Sequence, residues 1–160
     1  MIKIHIEKVN PHAIIPSYAK PNDAGMDIYA SQDVTIGLNS TALVPTGIKV
    51  AIPPGYEMQI RPRSGLSLKT RLRVANSPGT IDSGYRDEVA VIIHNTSIED
   101  DGVFDLMEKE NRQGTYLIKK GDRIAQIVVQ AISLVEFVEV EDVSSIGKNR
   151  GGGFGSTGTR

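Results

Sequence analysis

The chain has no cysteine, few aromatic residues, no long apolar run and no excess of charge of either sign. Of its 160 residues none is cysteine and 5% are aromatic, and the formal net charge is −1. The absence of cysteine excludes disulfides and cysteine-ligated zinc or iron–sulfur sites. The charge balance argues against a nucleic-acid binder or a protein held on an anionic membrane surface.

No apolar stretch approaches the roughly 20 residues that a membrane-spanning helix requires. The N-terminal sequence MIKIHIEKV alternates apolar and polar residues and carries charges throughout, unlike a signal peptide. We therefore expect a soluble, cytoplasmic protein with no nucleic-acid or membrane partner. The length fits one domain, with a core of valine, isoleucine, leucine and alanine.

The dominant hydrophobic period is two, which is typical of β-strands. Ile2, Ile4 and Ile6 alternate with polar residues, and further strand-like runs include MDIYA, GIKVAI, YEMQIRP, EVAVIIHN and RIAQIVVQAISLVEFVEVE. Turn sequences rich in glycine, proline, asparagine and aspartate separate these runs. Many short strands at close spacing predict an all-β sandwich or barrel of jelly-roll or Greek-key type.

One segment, residues 97–114 (SIEDDGVFDLMEKENRQG), departs from this pattern because it is highly charged. Its few apolar residues cluster near the middle. The segment predicts a charged surface excursion, built either from one or two helical turns or as a long hairpin tip.

Two stretches have the residue types of a nucleotide site. In RPRSGLS, Arg63 offers charge, Ser64 a hydroxyl and Gly65 a close main-chain approach, so the stretch is either an ordinary turn or a phosphate cradle. In ANSPGTIDSGYRDE, a β-hairpin is the plain interpretation. The functional alternative is a strand edge that recognises a base, with Asp82 activating a water and Tyr85 lying against a sugar.

Two further polar residues interrupt apolar strands. Asp27 in NDAGMDIYA either caps a turn or helps to place a divalent cation such as Mg²⁺, which prefers few carboxylates and keeps its waters. Gln126 in GDRIAQI needs a hydrogen-bond partner in the protein or in a ligand.

The chain ends on NRGGGFGSTGTR. A glycine-rich end is either a frayed terminus or a lid. Backbone N–H groups, the Arg150 guanidinium, the Ser156 and Thr157 hydroxyls and the Phe154 ring together suit a nucleotide with phosphates.

The stretches DAGMDIYA, RPRSGLS, NSPGTIDSGYRDE, GDRIAQI and RGGGFGSTG resemble, in order, the five motifs of the trimeric deoxyuridine triphosphatases (dUTP diphosphatases). The resemblance implies a β jelly roll over residues 1–145 and a flexible lid arm over residues 146–160. It also implies a homotrimer whose active sites are shared between subunits. The expected reaction is Mg²⁺-dependent hydrolysis of dUTP to dUMP and diphosphate, which limits uracil incorporation into DNA and supplies dUMP for thymidylate synthesis.

The resemblance assigns a role to each matching residue. Asp82 resembles the carboxylate that activates water for attack at the α-phosphorus, and Asp27 the one that reaches Mg²⁺ through water. The expected substrate-binding residues are Arg63, Ser64, Gly65 and Gln126 at the phosphates; Asn76, Thr80, Ile81, Tyr85 and Ala90 at the uracil and deoxyribose; and Arg150, Phe154, Gly155, Ser156 and Thr157 in the arm.

Three features depart from the family pattern. The arm motif is one residue shorter, which changes the spacing between Arg150 and the rest of the motif. Arg86-Asp87 stands where Arg-Gly is commoner, and residues 97–114 are longer than usual. Two alternatives remain beside the diphosphatase. A deoxycytidine triphosphate deaminase would need a glutamate-centred site, whereas this chain has Asp82. A non-catalytic nucleotide sensor would use the same pocket to regulate a partner.

Overall fold

The computed structural model describes residues 1–107 and 110–151. These residues form twelve β-strands, one short α-helix, α1 (Ser64–Lys69), and one 3-10 helix (Val143–Ser145). The strands in chain order are β1 (His5–Lys8), β2 (Met26–Tyr29), β3 (Val34–Ile36), β4 (Thr41–Pro45), β5 (Ile48–Ala51), β6 (Tyr56–Arg61), β7 (Leu72–Val74), β8 (Gly79–Ile81), β9 (Ala90–Asn95), β10 (Val103–Asp105), β11 (Thr115–Ile118) and β12 (Arg123–Ala131). The prediction of an all-β, jelly-roll type of fold is confirmed.

The strands assemble into small sheets that enclose one core. The largest has the order β2-β12-β6-β8, and the others are β4-β9-β7, β10-β11-β3 and β1-β5. Neighbouring strands are antiparallel, except that β10 runs parallel to β11. Side chains alternate between the core and the outer face, as the period of two predicts.

The core is aliphatic. Ile28, Val44, Leu72 and Ile93 are fully buried, and most of the other buried apolar residues are also isoleucine, valine, leucine or alanine. Because apolar burial contributes roughly 25 cal/mol per Å², a core of this size stabilises the fold without many aromatic rings.

Residues 97–114 are more than a surface excursion, and the described part of the segment contains no helical turn. Phe104 in β10 is buried, its ring packs 6.1 Å from that of Tyr116, and Arg112 lies over it at 5.3 Å. The buried Phe104 side chain therefore anchors β10, and with it the charged segment, to the core.

The alternating pattern predicts two strands that are longer than the strands in the structure. β1 begins only at His5, and the run after β12 leaves the sheet at Ala131 although its apolar alternation continues. Residues 132–142 are exposed and form no strand. In the described part of the chain, no helix is long and apolar enough to cross a membrane.

Candidate active site

A first group of site residues gathers where β2, β12 and the end of β6 meet. Asp27 lies directly across from Gln126, and Gln126 lies across from Arg61 at the end of β6. Arg63 follows two residues later, just before α1. We call Asp27, Arg63, Arg123 and Gln126 the first half-site.

Two guanidinium groups neutralise the Asp27 carboxylate. Arg63 Nε donates to Asp27 Oδ1 at 2.7 Å, and Arg123 Nη1 donates to Oδ2 at 3.3 Å. The side chains of Arg63 and Asp27 are 26% and 25% exposed, so the pair is partly shielded from water. Within the first half-site two cations stand against one anion, which suits a polyanionic ligand, and Asp23 adds a second carboxylate at the neighbouring pocket.

Arg123 is a residue that the sequence analysis did not single out. It stands three positions before Gln126, and an odd separation in a strand predicts side chains on opposite faces. A register shift between Arg123 and Ala125 cancels this, because Arg123 pairs with Tyr29 while Gln126 pairs with Asp27. The bulge brings both side chains to one face, and the sequence has no clear signal for it.

A polar pocket of about 480 Å³ opens beside the first half-site. Asp27, Arg123 and Gln126 line it together with Asp23 and Gly25, among others. Gln126 Nε2 donates to the Pro62 carbonyl at 2.8 Å, so this amide has the partner that the sequence analysis required.

Ser64 and Gly65 begin α1 and are exposed. A Cβ at Gly65 would meet no other atom within 4 Å, so no protein contact requires glycine there. The open space over this turn is compatible with the predicted close approach of a ligand oxygen to the main chain.

The second group lies on β8 and the hairpin that follows it. Asp82 is exposed and comes directly after β8. Tyr85 N donates to Asp82 O at 3.1 Å, and the Tyr85 hydroxyl donates to the Glu88 carbonyl at 2.9 Å. These bonds make the hairpin compact and leave the Asp82 carboxylate in solvent. We call residues 76–90 the second half-site.

The remaining residues of the second half-site surround this hairpin. Asn76 is exposed just before the cis Ser77-Pro78 bond, Thr80 is exposed, Ile81 is buried and Ala90 begins β9. Within the described ranges β8 is an edge strand whose sheet partner is β6 alone. Its other edge can offer backbone donors and acceptors to a planar ligand, as one strand does to another.

The acidic residues of the two half-sites lie far apart within one chain. Asp27 lies on β2, one outer strand of the four-stranded sheet, and Asp82 directly follows β8, the other outer strand. Ile81 at the end of β8 pairs with Met58, three positions before Arg61 along β6. Strand rise and spacing then place the backbones of these two residues, Asp27 and Asp82, roughly 20 Å apart. One small reactant cannot contact both groups on a single chain.

The donor set does not form a closed metal cage. In residues 1–107 and 110–151, no three histidine, aspartate or glutamate side chains gather as a metal site would require. Asp27 is the one carboxylate between the two arginines of the first half-site. This fits Mg²⁺ that arrives with phosphate ligands and retains its waters, since that ion is commonly bound through only one or two carboxylates.

The predicted arm lies mostly outside the described residues. Arg150 is described and exposed. Phe154, Gly155, Ser156 and Thr157 are outside the described residues, so their predicted contacts stay predictions.

Comparisons with known proteins agree with the motif pattern. The dUTPase family model matches residues 11–158. The deoxyuridine 5'-triphosphate nucleotidohydrolase of Helicobacter pylori is 41% identical over 157 residues, covering 98% of this chain and 97% of that protein. The corresponding protein of a Picosynechococcus species is 44% identical over 156 residues, covering 98% and 99%.

Solved structures give the same result. A mutant dUTPase of Staphylococcus bacteriophage 80alpha, in complex with dUpNHpp, superposes with a TM-score of 0.85 at 30% identity and covers 98% of both chains. A mutant dUTPase from phage phi11 of S. aureus, described with a structural Mg(II) ion, gives 0.80 at 32% identity, covering 89% of this chain and 99% of that one. The chain therefore belongs to the dUTPase family.

Proposed function

We propose that this protein hydrolyses dUTP to dUMP and diphosphate by attack of water at the α-phosphorus. Family membership supports the substrate and the reaction. The observation that carries the proposal is the chemical difference between the two half-sites. The first has two arginines, and the second has an exposed acid beside the free edge of a strand. The first suits a triphosphate, and the second suits a base and a nucleophilic water.

The first half-site would receive the phosphates. A triphosphate bears about four negative charges, which repel an oxygen nucleophile until they are neutralised. Arg63 and Arg123 supply positive charge, and Gln126 has an amide N–H beyond the one bound to Pro62. When Mg²⁺ is bound, it would add charge neutralisation, with Asp27 holding it through water.

The second half-site would hold the nucleoside and the water. The free edge of β8 near Thr80 and Ile81 would pair with uracil, and a cytosine there would leave buried polar groups unpaired at roughly 1–3 kcal/mol each. The Tyr85 ring would pack against the deoxyribose and exclude a 2′-hydroxyl.

Asp82 would accept a proton from the attacking water. The water oxygen then bonds to the α-phosphorus, while the bond from that phosphorus to the bridging oxygen breaks and diphosphate leaves. Most of the rate enhancement would come from position and charge, because phosphoryl transfer needs little covalent help from the protein.

We further propose a homotrimer in which each active site combines half-sites of different subunits, with the arm over residues 146–160 closing as a lid. The separation of the half-sites supports sharing, while the number three rests on the family resemblance. Residues after β12 also support assembly, since Leu134, Val135 and Phe137 are 89%, 74% and 95% exposed. Such contiguous apolar exposure favours burial against another chain. The enzyme would act in the cytoplasm, limit uracil incorporation into DNA and supply dUMP for thymidylate synthesis.

The direct test measures products from dUTP, dCTP, dTTP and UTP with Mg²⁺ supplied. We expect dUMP and diphosphate from dUTP, and in water labelled with heavy oxygen we expect the label in dUMP. Ammonia released from dCTP would indicate a deaminase instead, and binding of dUTP without turnover would indicate a sensor.

Asp82→Asn should bind dUTP and turn it over at least about a hundredfold more slowly, which is the scale of a lost positioned base. Asp101→Asn is the matched control, because it removes an exposed carboxylate that lies outside both half-sites. Near-normal turnover by Asp82→Asn would refute the role assigned to this acid.

A further inference from the structure

The carboxamide of Gln126 joins three elements of the first half-site. Its residue lies in β12, hydrogen-bonded on one side to β2 and on the other to β6. Its Nε2 donates to the carbonyl of Pro62, the residue between β6 and Arg63. The amide thus has one N–H committed to the protein and a second that remains for a ligand in the adjacent polar pocket.

Gly25 lies against the other end of this carboxamide. A Cβ at position 25 would stand 2.5 Å from Gln126 Oε1 and 3.4 Å from Gln126 Cδ. Real Cβ atoms essentially never approach an oxygen so closely. Because Oε1 is the far end of a flexible side chain, the carboxamide would have to move while the backbone could stay.

Backbone conformation does not explain the glycine. Gly25 is absent from the glycines with positive φ, so its backbone is one that other residues can adopt. The space taken by the Gln126 carboxamide is therefore the feature that excludes a side chain at position 25.

We propose that Gly25 is a positioning residue for the first half-site, acting through Gln126. The missing side chain lets the carboxamide hold its bond to Pro62 while its second N–H faces the pocket, where it would bind a phosphate oxygen of the nucleotide. Gly25 acts through the space that it leaves for the amide. The phosphate part of this inference rests on the proposed function, whereas the placement of the amide does not.

The kinetic test is a double-mutant cycle with Gly25→Ala, Gln126→Ala and the double variant. Alone, Gly25→Ala should lower kcat/KM for dUTP by about tenfold or more, the scale of a lost hydrogen bond to a charged group. In the Gln126→Ala background the same change should alter kcat/KM by less than about twofold, because the displaced amide is gone. Equal losses in both backgrounds would overturn the inference.

Gly37→Ala is the matched control. Gly37 also has no positive φ, and a Cβ there would make an ordinary contact, with Ser40 Oγ at 3.8 Å. This variant should keep the turnover of the unmodified protein. If the unmodified protein and this control both fail to cleave dUTP, the proposed function falls, and the phosphate role of Gln126 falls with it.

A crystal structure of Gly25→Ala tests the placement without any assay. We expect the fold and the thermal midpoint to be retained, and Gln126 Nε2 to lie beyond hydrogen-bond distance of the Pro62 carbonyl. An amide still bonded to Pro62 as in the unmodified protein would overturn the positioning role even if the enzyme is active.

Discussion

At the scale of single residues, Asp27 shows why an acid can stand inside an apolar strand. A partly buried carboxylate is costly unless it is paired. The sequence suggests a turn cap or a cation ligand, whereas the structure places Arg63 and Arg123 against the carboxylate. The arginines come from distant segments, so the pairing depends on strand register that one sequence does not specify. Contact with Mg²⁺ through water stays a prediction.

Asp122 provides a residue-scale prediction about pH. Burial, and then the negative charges of Asp105 and Asp33, raise the pKa of the Asp122 carboxyl above 3.8, although the Lys119 N–H opposes this. A raised pKa in the folded state means that the ionised form is destabilised by folding. This penalty is fully present above the folded-state pKa and disappears as the pH falls through it towards 3.8.

We therefore expect Asp122→Asn to be more stable to urea than the unmodified protein at neutral pH, with the advantage shrinking as the solution is acidified. The asparagine Oδ1 can still accept the bond from Lys119 N, which is 2.8 Å from the carboxylate. Asp87→Asn, in another loop, controls for the change in net charge. An advantage that grows on acidification would contradict the assigned sign.

At the scale of elements, strands are predicted well where a neighbouring strand is available. β12 has the alternation and pairs with β2 and β6, but the same alternation continues beyond Ala131 without forming a strand. A strand needs partners for its backbone, and beyond Ala131 the described residues supply one bond to another segment, from Ile132 N to the Gly55 carbonyl, and no neighbouring strand. The missed helix α1 has a related cause, because Leu66 is its only buried residue and its six residues have no strong helical pattern.

Gly114 supports an element-scale prediction about residues 97–114. Its φ is +147°, and a Cβ there would stand 2.2 Å from the Gly102 carbonyl oxygen and 2.8 Å from Phe104 Cε2. Neither the backbone oxygen nor the packed ring can move freely. Gly114→Ala should therefore lower the free energy of unfolding by about 2–4 kcal/mol, measured by urea titration.

Gly55→Ala separates the contact from the backbone conformation. Gly55 has φ +83° and a Cβ there would meet nothing within 4 Å, so its variant should lose only about 1–2 kcal/mol. If Gly114→Ala costs no more than Gly55→Ala, the close approach of Gly102 and Phe104 does not constrain this segment.

At the scale of the whole molecule, the motifs predict the site residues but not which of them lie together. The order of the motifs along the chain does not say which of them lie together, whereas the sheet order places Asp27 on β2 and Asp82 just after β8, at opposite edges of one sheet. Leu134 and Phe137 are exposed, and an apolar groove is lined by Ile4, Met58 and others, so apolar surface is available for a contact with another chain. A single sequence cannot count subunits, so the assembly stays a proposal that the geometry and the family resemblance support.

The central claim, that active sites combine half-sites of different subunits, is tested by mixing two inactive variants. Asp82→Asn is defective in the second half-site and Arg63→Ala in the first. Unfolded and refolded together in equal amounts, they should regain about a quarter of normal dUTP turnover, since half the chains supply each intact half-site. If the refolded mixture stays at the level of the two variants refolded separately, each site lies within one chain and the account is wrong.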